Sequence, residues 1–112
     1  MSVFLKAINL ITNNGWTKGR YFREYPGIYN DESVGAGYCI VGACAAAANM
    51  PVNMWEQTKD HLLLSKYTNR WPTYHNDRII TNKDEAIKLL ERVYYAECEL
   101  AKQTEHLSAQ PA

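Results

Sequence analysis

The chain has 112 residues, 46% of them apolar, enough for one domain whose core needs neither metal nor disulfide. Twelve Lys and Arg balance twelve Asp and Glu, so no global field draws in nucleic acid or an anionic membrane, and only local patches remain. The longest apolar run, CIVGACAAAA, falls far short of the ~20 residues that span a bilayer.

The first residues, MSVFLKAINL, lack the basic region and small-residue cleavage site of a signal peptide. Three cysteines (Cys39, Cys44 and Cys98) cannot all pair. Reduced thiols in a cytoplasm are expected, the host cytoplasm if a phage encodes the protein.

In chain order, SVFLKAINLITNNG predicts a first helix capped by Ser2, with Val3, Phe4, Ala7, Ile8, Leu10 and Ile11 on one side. Gly15 suits the left-handed position just past its end. Residues 16–32 have no helical period and contain Pro26, Gly27, Asn30 and Asp31, so they read as an aromatic loop. Ser33 offers a cap for a second helix from Val34 to about Asn49. Its glycines each cost about 1 kcal/mol against alanine. Gly35, Cys39, Gly42, Ala43 and Ala46 fall on one stripe, where small side chains let another segment approach the backbone.

Pro51 opens a third helix, with Asn53 and Glu56 as a capping pattern and Trp55, Leu62 and Leu63 inward. Residues 65–80 lack periodicity, and Pro72 holds Trp71 extended. Thr81 caps the last helix, with Asp84 and Glu85 in its first turn and Ile87, Leu90, Val93, Tyr94 and Leu100 on its buried face. Asp84 with Lys88 and Glu99 with Lys102 are candidate surface pairs. The expectation is an all-α, compact single-domain bundle of about four helices with irregular aromatic-rich connecting loops. The domain covers residues 1–107, and 108–112 form a frayed tail.

Three stretches, NNGWTKG, YCIVGACAAA and WPTYHNDRIITNKDEAIKLLERV, together resemble a family of small uncharacterised proteins of bacteria, especially actinobacteria, and phages. The matching positions are Gly15, Trp16 and Gly19, then Tyr38, Cys39, Gly42 and Ala43, then Asn76, Asp77 and Thr81. His75 stands where that family often has tryptophan, and residues 20–32 follow a sequence of their own. The resemblance implies a helical architecture and an accessory role, of the kind phages direct at host machinery. It implies no chemistry, because the family has no assigned activity.

Cys39 has two readings. Near a helix start it can be a low-pKa nucleophile, with His75 as base and Asn76 or Asp77 as orienting group. It also belongs to the small stripe, which by itself explains a small apolar residue there. Side chains adjacent in sequence diverge, so His75, Asn76 and Asp77 make a poor relay, and packing is the favoured reading. Cys44 and Cys98 read as packing residues, and His61 and His106 as solvated ones. No Cys-x-x-Cys, His-x-x-x-His or Cys-x-x-His spacing is present, so neither metal nor cofactor is expected.

The segments WTKGRYFREY and KYTNRWPTYHNDR interleave cations with aromatics: Trp16, Lys18, Arg20 and Tyr21 in one, and Arg70, Trp71, Tyr74 and His75 in the other. They can stack bases and neutralise phosphates. They can instead form a protein-recognition surface, since Trp, Tyr and Arg dominate interface hot spots. In a third reading Trp16, Trp71 and Tyr74 lid the core beneath Arg and Lys stems. A ligand pocket, if formed, would sit where Trp16, Lys18, Trp71, His75 and Asp77 converge. The leading functional expectation is a non-enzymatic, phage- or mobile-element-encoded protein that binds a host or partner protein. The alternative is a domain binding a small ligand, nucleotide or nucleic acid, or a thiol enzyme using Cys39 and His75.

Overall fold

The computed structural model describes residues 2–23 and 37–109, with Arg23 and residues 104–109 described by backbone alone. Ser33, Gly35 and the predicted start of the second helix at Val34 lie outside the described residues, as do the turn formers of residues 26–31 and the last three residues of the tail. Among the described residues the chain is all-α, with six helices and one minimal hairpin.

Helix α1 spans Val3–Asn14 and buries Phe4, Ala7 and Ile11 at helical spacing. Ser2 caps it, accepting a hydrogen bond from the Phe4 amide at 3.1 Å, and its hydroxyl donates to Glu97 on the last helix. Gly15 ends the helix at φ 98°, its amide bonded to the Ile11 carbonyl at 2.8 Å.

Strands β1 (Phe22–Arg23) and β2 (Gly37–Tyr38) pair antiparallel, Phe22 opposite Tyr38 and Arg23 opposite Gly37. The Tyr38 backbone also bonds the other way: its amide donates to the Gly15 carbonyl, and its carbonyl accepts from Thr17. Gly37 therefore belongs to a strand and not to the predicted helix. Its φ is +135°, and a Cβ there would stand 2.0 Å from the Gly15 carbonyl oxygen.

Helix α2 accordingly begins later than expected, spanning Ile40–Ala47, with Cys39 as its cap. Every residue from Ile40 to Ala45 is buried, as befits a helix apolar all round. Gly42 is where another segment comes closest: a Cβ there would lie 2.0 Å from the Tyr21 carbonyl oxygen. Asn49 closes the helix at φ 56°, with Met50 bonded back to Ala45 and Asn49 to Ala46, a Schellman motif.

The predicted third helix is two short ones, α3 (Val52–Trp55) and α4 (Lys59–Lys66). Thr58 interrupts them: its hydroxyl accepts from the His61 amide at 3.3 Å, starting α4 afresh. Asn53 and Glu56 form no capping pair, since α3 starts from Pro51 without a side-chain cap. Trp55 and Leu64 point inward, whereas Leu62 is 63% exposed.

Residues 72–78 also differ from expectation. They form α5 (Pro72–Arg78), with Pro72 in its first turn, where the missing amide costs nothing.

Helix α6 spans Lys83–Ala109 and starts one residue after its true cap, Asn82, whose side-chain oxygen accepts from the Glu85 amide at 2.9 Å. Thr81 is not the cap; its hydroxyl bonds the Glu85 carboxylate instead. Asp84 and Glu85 do sit in the first turn. The core joins Phe4, Ala7 and Ile11 of α1 to α2 on one side and to Ala86, Leu90 and Val93 of α6 on the other. Leu100, expected inward, is 50% exposed. Lys102 and Glu99, at 3.4 Å, make the one ion pair among the described residues.

Candidate functional site

Helix α5 organises the region the sequence singled out. Pro72, Asn76 and Ile80 follow one another at i, i+4 and i+8 and are buried, while Trp71, Tyr74 and Arg78 share the opposite, solvent side. In the middle of the buried side stands a polar residue, Asn76, and its amide is fully used. Asn76 Oδ1 accepts from Trp16 Nε1 at 2.7 Å and from the Ile40 amide at 3.1 Å. Asn76 Nδ2 donates to the Thr17 carbonyl at 3.1 Å and to Asp77 Oδ1 at 3.0 Å. The same Asp77 oxygen accepts from the Gly19 amide at 2.8 Å. One asparagine thus ties the segment after α1 and the first turn of α2 to α5.

Of the five residues expected around a pocket, Trp16 and Asp77 meet through this network. Trp71 stands 69% exposed instead, so it is no lid, and neither is Tyr74 at 61%. Lys18 is half-buried. His75 lines a groove against α6, where burial lowers its pKa and Glu85 partly offsets that shift.

Cys39 is 1% exposed, and its Sγ accepts from the Gly42 amide at 3.2 Å. Burial pushes the thiol up to about 11, although the Gly42 and Val41 amides pull the other way. The helix-start position therefore does not produce a thiolate at neutral pH, because desolvation outweighs the amides. Cys44 is fully buried, and burial holds its thiol well above the ordinary value. His61 stacks edge-on against Trp55, with ring centroids 5.4 Å apart.

Exposed aromatics stand at two places, Tyr21 and Phe22 at β1 and Trp71 and Tyr74 at α5. Tyr21, just before β1, is 43% exposed, and burial pushes its hydroxyl pKa up. Phe22 follows Tyr21, is 50% exposed, and packs on Tyr38 at a centroid distance of 4.8 Å. Arg20 and Arg70 flank the two aromatic segments and are exposed. Asn69 and Arg70 turn the chain into Trp71 with positive φ (53° and 75°), an uncommon conformation for arginine. Phe22 was missing from the sequence reading. Its alternation with the inward-bonded Tyr21 backbone becomes visible only once the strand exists.

Among the described residues no group of three or more His, Cys, Asp and Glu side chains could hold a metal ion, and no helix is long and apolar enough to cross a membrane. No curated protein and no solved structure matches the chain. Residues 2–95 match a family of unknown function, DUF6197, and the chain belongs to that family.

Proposed function

We propose that the protein is a non-enzymatic accessory protein, encoded by a phage or mobile element, that acts in the cytoplasm by binding a host or partner protein. One observation carries the reading: Trp71 and Tyr74 are 69% and 61% exposed on α5, while Trp16 and Trp55 of the same chain are 5% and 0% exposed. The core has room for tryptophan, so the outward pair is not surplus from a small domain. A large aromatic side chain left in water forgoes about 1.5–3 kcal/mol of burial free energy, which an interface recovers. Tyr21 and Phe22 add a second exposed pair, and Arg20 and Arg70, adjoining the two pairs in sequence, suit a partner with an acidic rim. The thiol-enzyme alternative has no support from Cys39, whose sulfur is enclosed and occupied as a helix cap.

The test is affinity capture from a host lysate, run beside a thermal-shift panel of nucleotides and metabolites. The reading expects a specific protein recovered by the wild-type chain and lost with Trp71→Ala/Tyr74→Ala. Capture indifferent to that double substitution would contradict it. Stabilisation by a metabolite without any protein partner would favour the ligand-binding alternative.

A further inference from the structure

A second feature lies on another side of α5. Between the end of α4, α5 and the first half of α6 is a groove of about 230 Å³. Its floor is apolar: Ile80 and Leu89 are 4% and 6% exposed, and Ile79 forms a wall. Its rim is charged. Lys88 and Arg92 stand at i and i+4 on α6 and so share one face of that helix. His75 faces them from α5.

The Arg92 guanidinium carbon lies 5.9 Å from the centroid of the Tyr67 ring, within cation–π range. Neither Lys88 nor Arg92 takes part in an ion pair among the described residues. The one acid on the rim, Glu85, accepts the Thr81 hydroxyl and keeps a charge that acts on His75, so the two cations must hold an anion against it.

We propose that this groove binds a small organic phosphate. A guanidinium fork beside an aromatic ring and an ammonium one turn away match the several oxygens of a phosphate monoester. The His75 side chain adds a further hydrogen-bonding group. The Ile79, Ile80 and Leu89 surfaces suit an apolar or planar organic portion. The volume limits the ligand: about 230 Å³ lies below the ordinary range of ligand pockets and excludes a dinucleotide. The aromatic surface around Trp71 is not needed for this binding, so the two proposals stand or fall separately.

Backbone-amide NMR titrations at constant ionic strength test it, using inorganic phosphate and adenosine monophosphate as probes and chloride as control. The expected result is saturable shifts around residues 67, 75, 79–80 and 85–92, with the monophosphate binding at least as tightly as phosphate alone. Lys88→Gln and Arg92→Gln should each weaken binding about tenfold, the scale of one charge-assisted hydrogen bond. Arg92→Lys, which keeps the charge but loses the planar fork, should also weaken it. Absence of saturable shifts would overturn the proposal. So would binding that the Arg92 and Lys88 variants leave unchanged.

Discussion

Asn76 uses both lone pairs of its amide oxygen and both amide hydrogens within the protein, on three different segments. Asn76→Ala would orphan the Trp16 indole, the Ile40 amide and the Thr17 carbonyl together. A buried unsatisfied group costs about 1–3 kcal/mol, so urea denaturation should show a loss of about 3 kcal/mol or more. A loss below about 1 kcal/mol would mean that water replaces the amide there. Thr17 presents the opposite case: its buried hydroxyl has no partner, so Thr17→Val should be neutral or stabilising. Cys39 makes a pH prediction. Its thiol holds its proton to about pH 11 in the folded chain, against an ordinary value of 9.0. Below pH 9 both states keep the proton and stability is complete. Between about 9 and 11 the unfolded chain releases it first, so stability falls as pH rises, by at most about 1.4 kcal/mol per pH unit from this group. Cys39→Ala should flatten that part of the melting-temperature profile, and iodoacetamide should label the folded wild type slowly at neutral pH. The packed reading of Cys39 was legible from its small neighbours. Its capping role was not, because cysteine is no ordinary cap residue and the position of the helix start decides it.

At the scale of elements, the first turn of α2 meets Tyr21, the residue before β1, with no space between. Gly42→Ala gains about 1 kcal/mol of helix propensity but puts a methyl group 2.0 Å from the Tyr21 carbonyl oxygen. Backbone must move, and overpacking of this kind costs typically about 1–3 kcal/mol. The clash should win, giving a lower melting temperature and, because β1 is displaced, altered fluorescence quenching at Tyr21. An unchanged or raised melting temperature would refute the close approach. The need for small residues here was readable from Gly42 and Ala43, and so were α1 with its Ser2 cap and the apolar face of α6 through Val93. Three boundaries were not readable. Within the helix expected from Val34, Gly37 reads as a helical glycine, yet only Gly15, distant in sequence, explains its positive φ. Pro72 holds Trp71 extended in a stretch that reads as aperiodic, yet the same proline opens α5 in its first turn. Asn82 and Thr81 are both good caps, and the choice between them rests on where Glu85 lies. In each case a contact far along the chain, or a single turn of helix, outweighed the local preference.

For the whole molecule, the tryptophans divide into two buried and one exposed. Trp16 and Trp55 fill the interior, and α5 carries Trp71 and Tyr74 outward from a base fixed by Asn76. The sequence displayed the aromatic and basic residues but not their sorting, since a tryptophan lid and a tryptophan hot spot have the same composition. A formal charge of zero leaves any electrostatic preference to local patches. The central claim is that this outward aromatic face, and not the thiol, carries the activity. The most direct measurement is isothermal titration of the captured partner protein against the wild type, Trp71→Ala/Tyr74→Ala and Cys39→Ala, with circular dichroism verifying each fold. Hot-spot aromatics contribute about 2 kcal/mol or more apiece, so the double variant should weaken binding by at least about a hundredfold while Cys39→Ala binds as the wild type does. Unchanged affinity in the folded double variant, or lost affinity in a folded Cys39→Ala, would contradict the account.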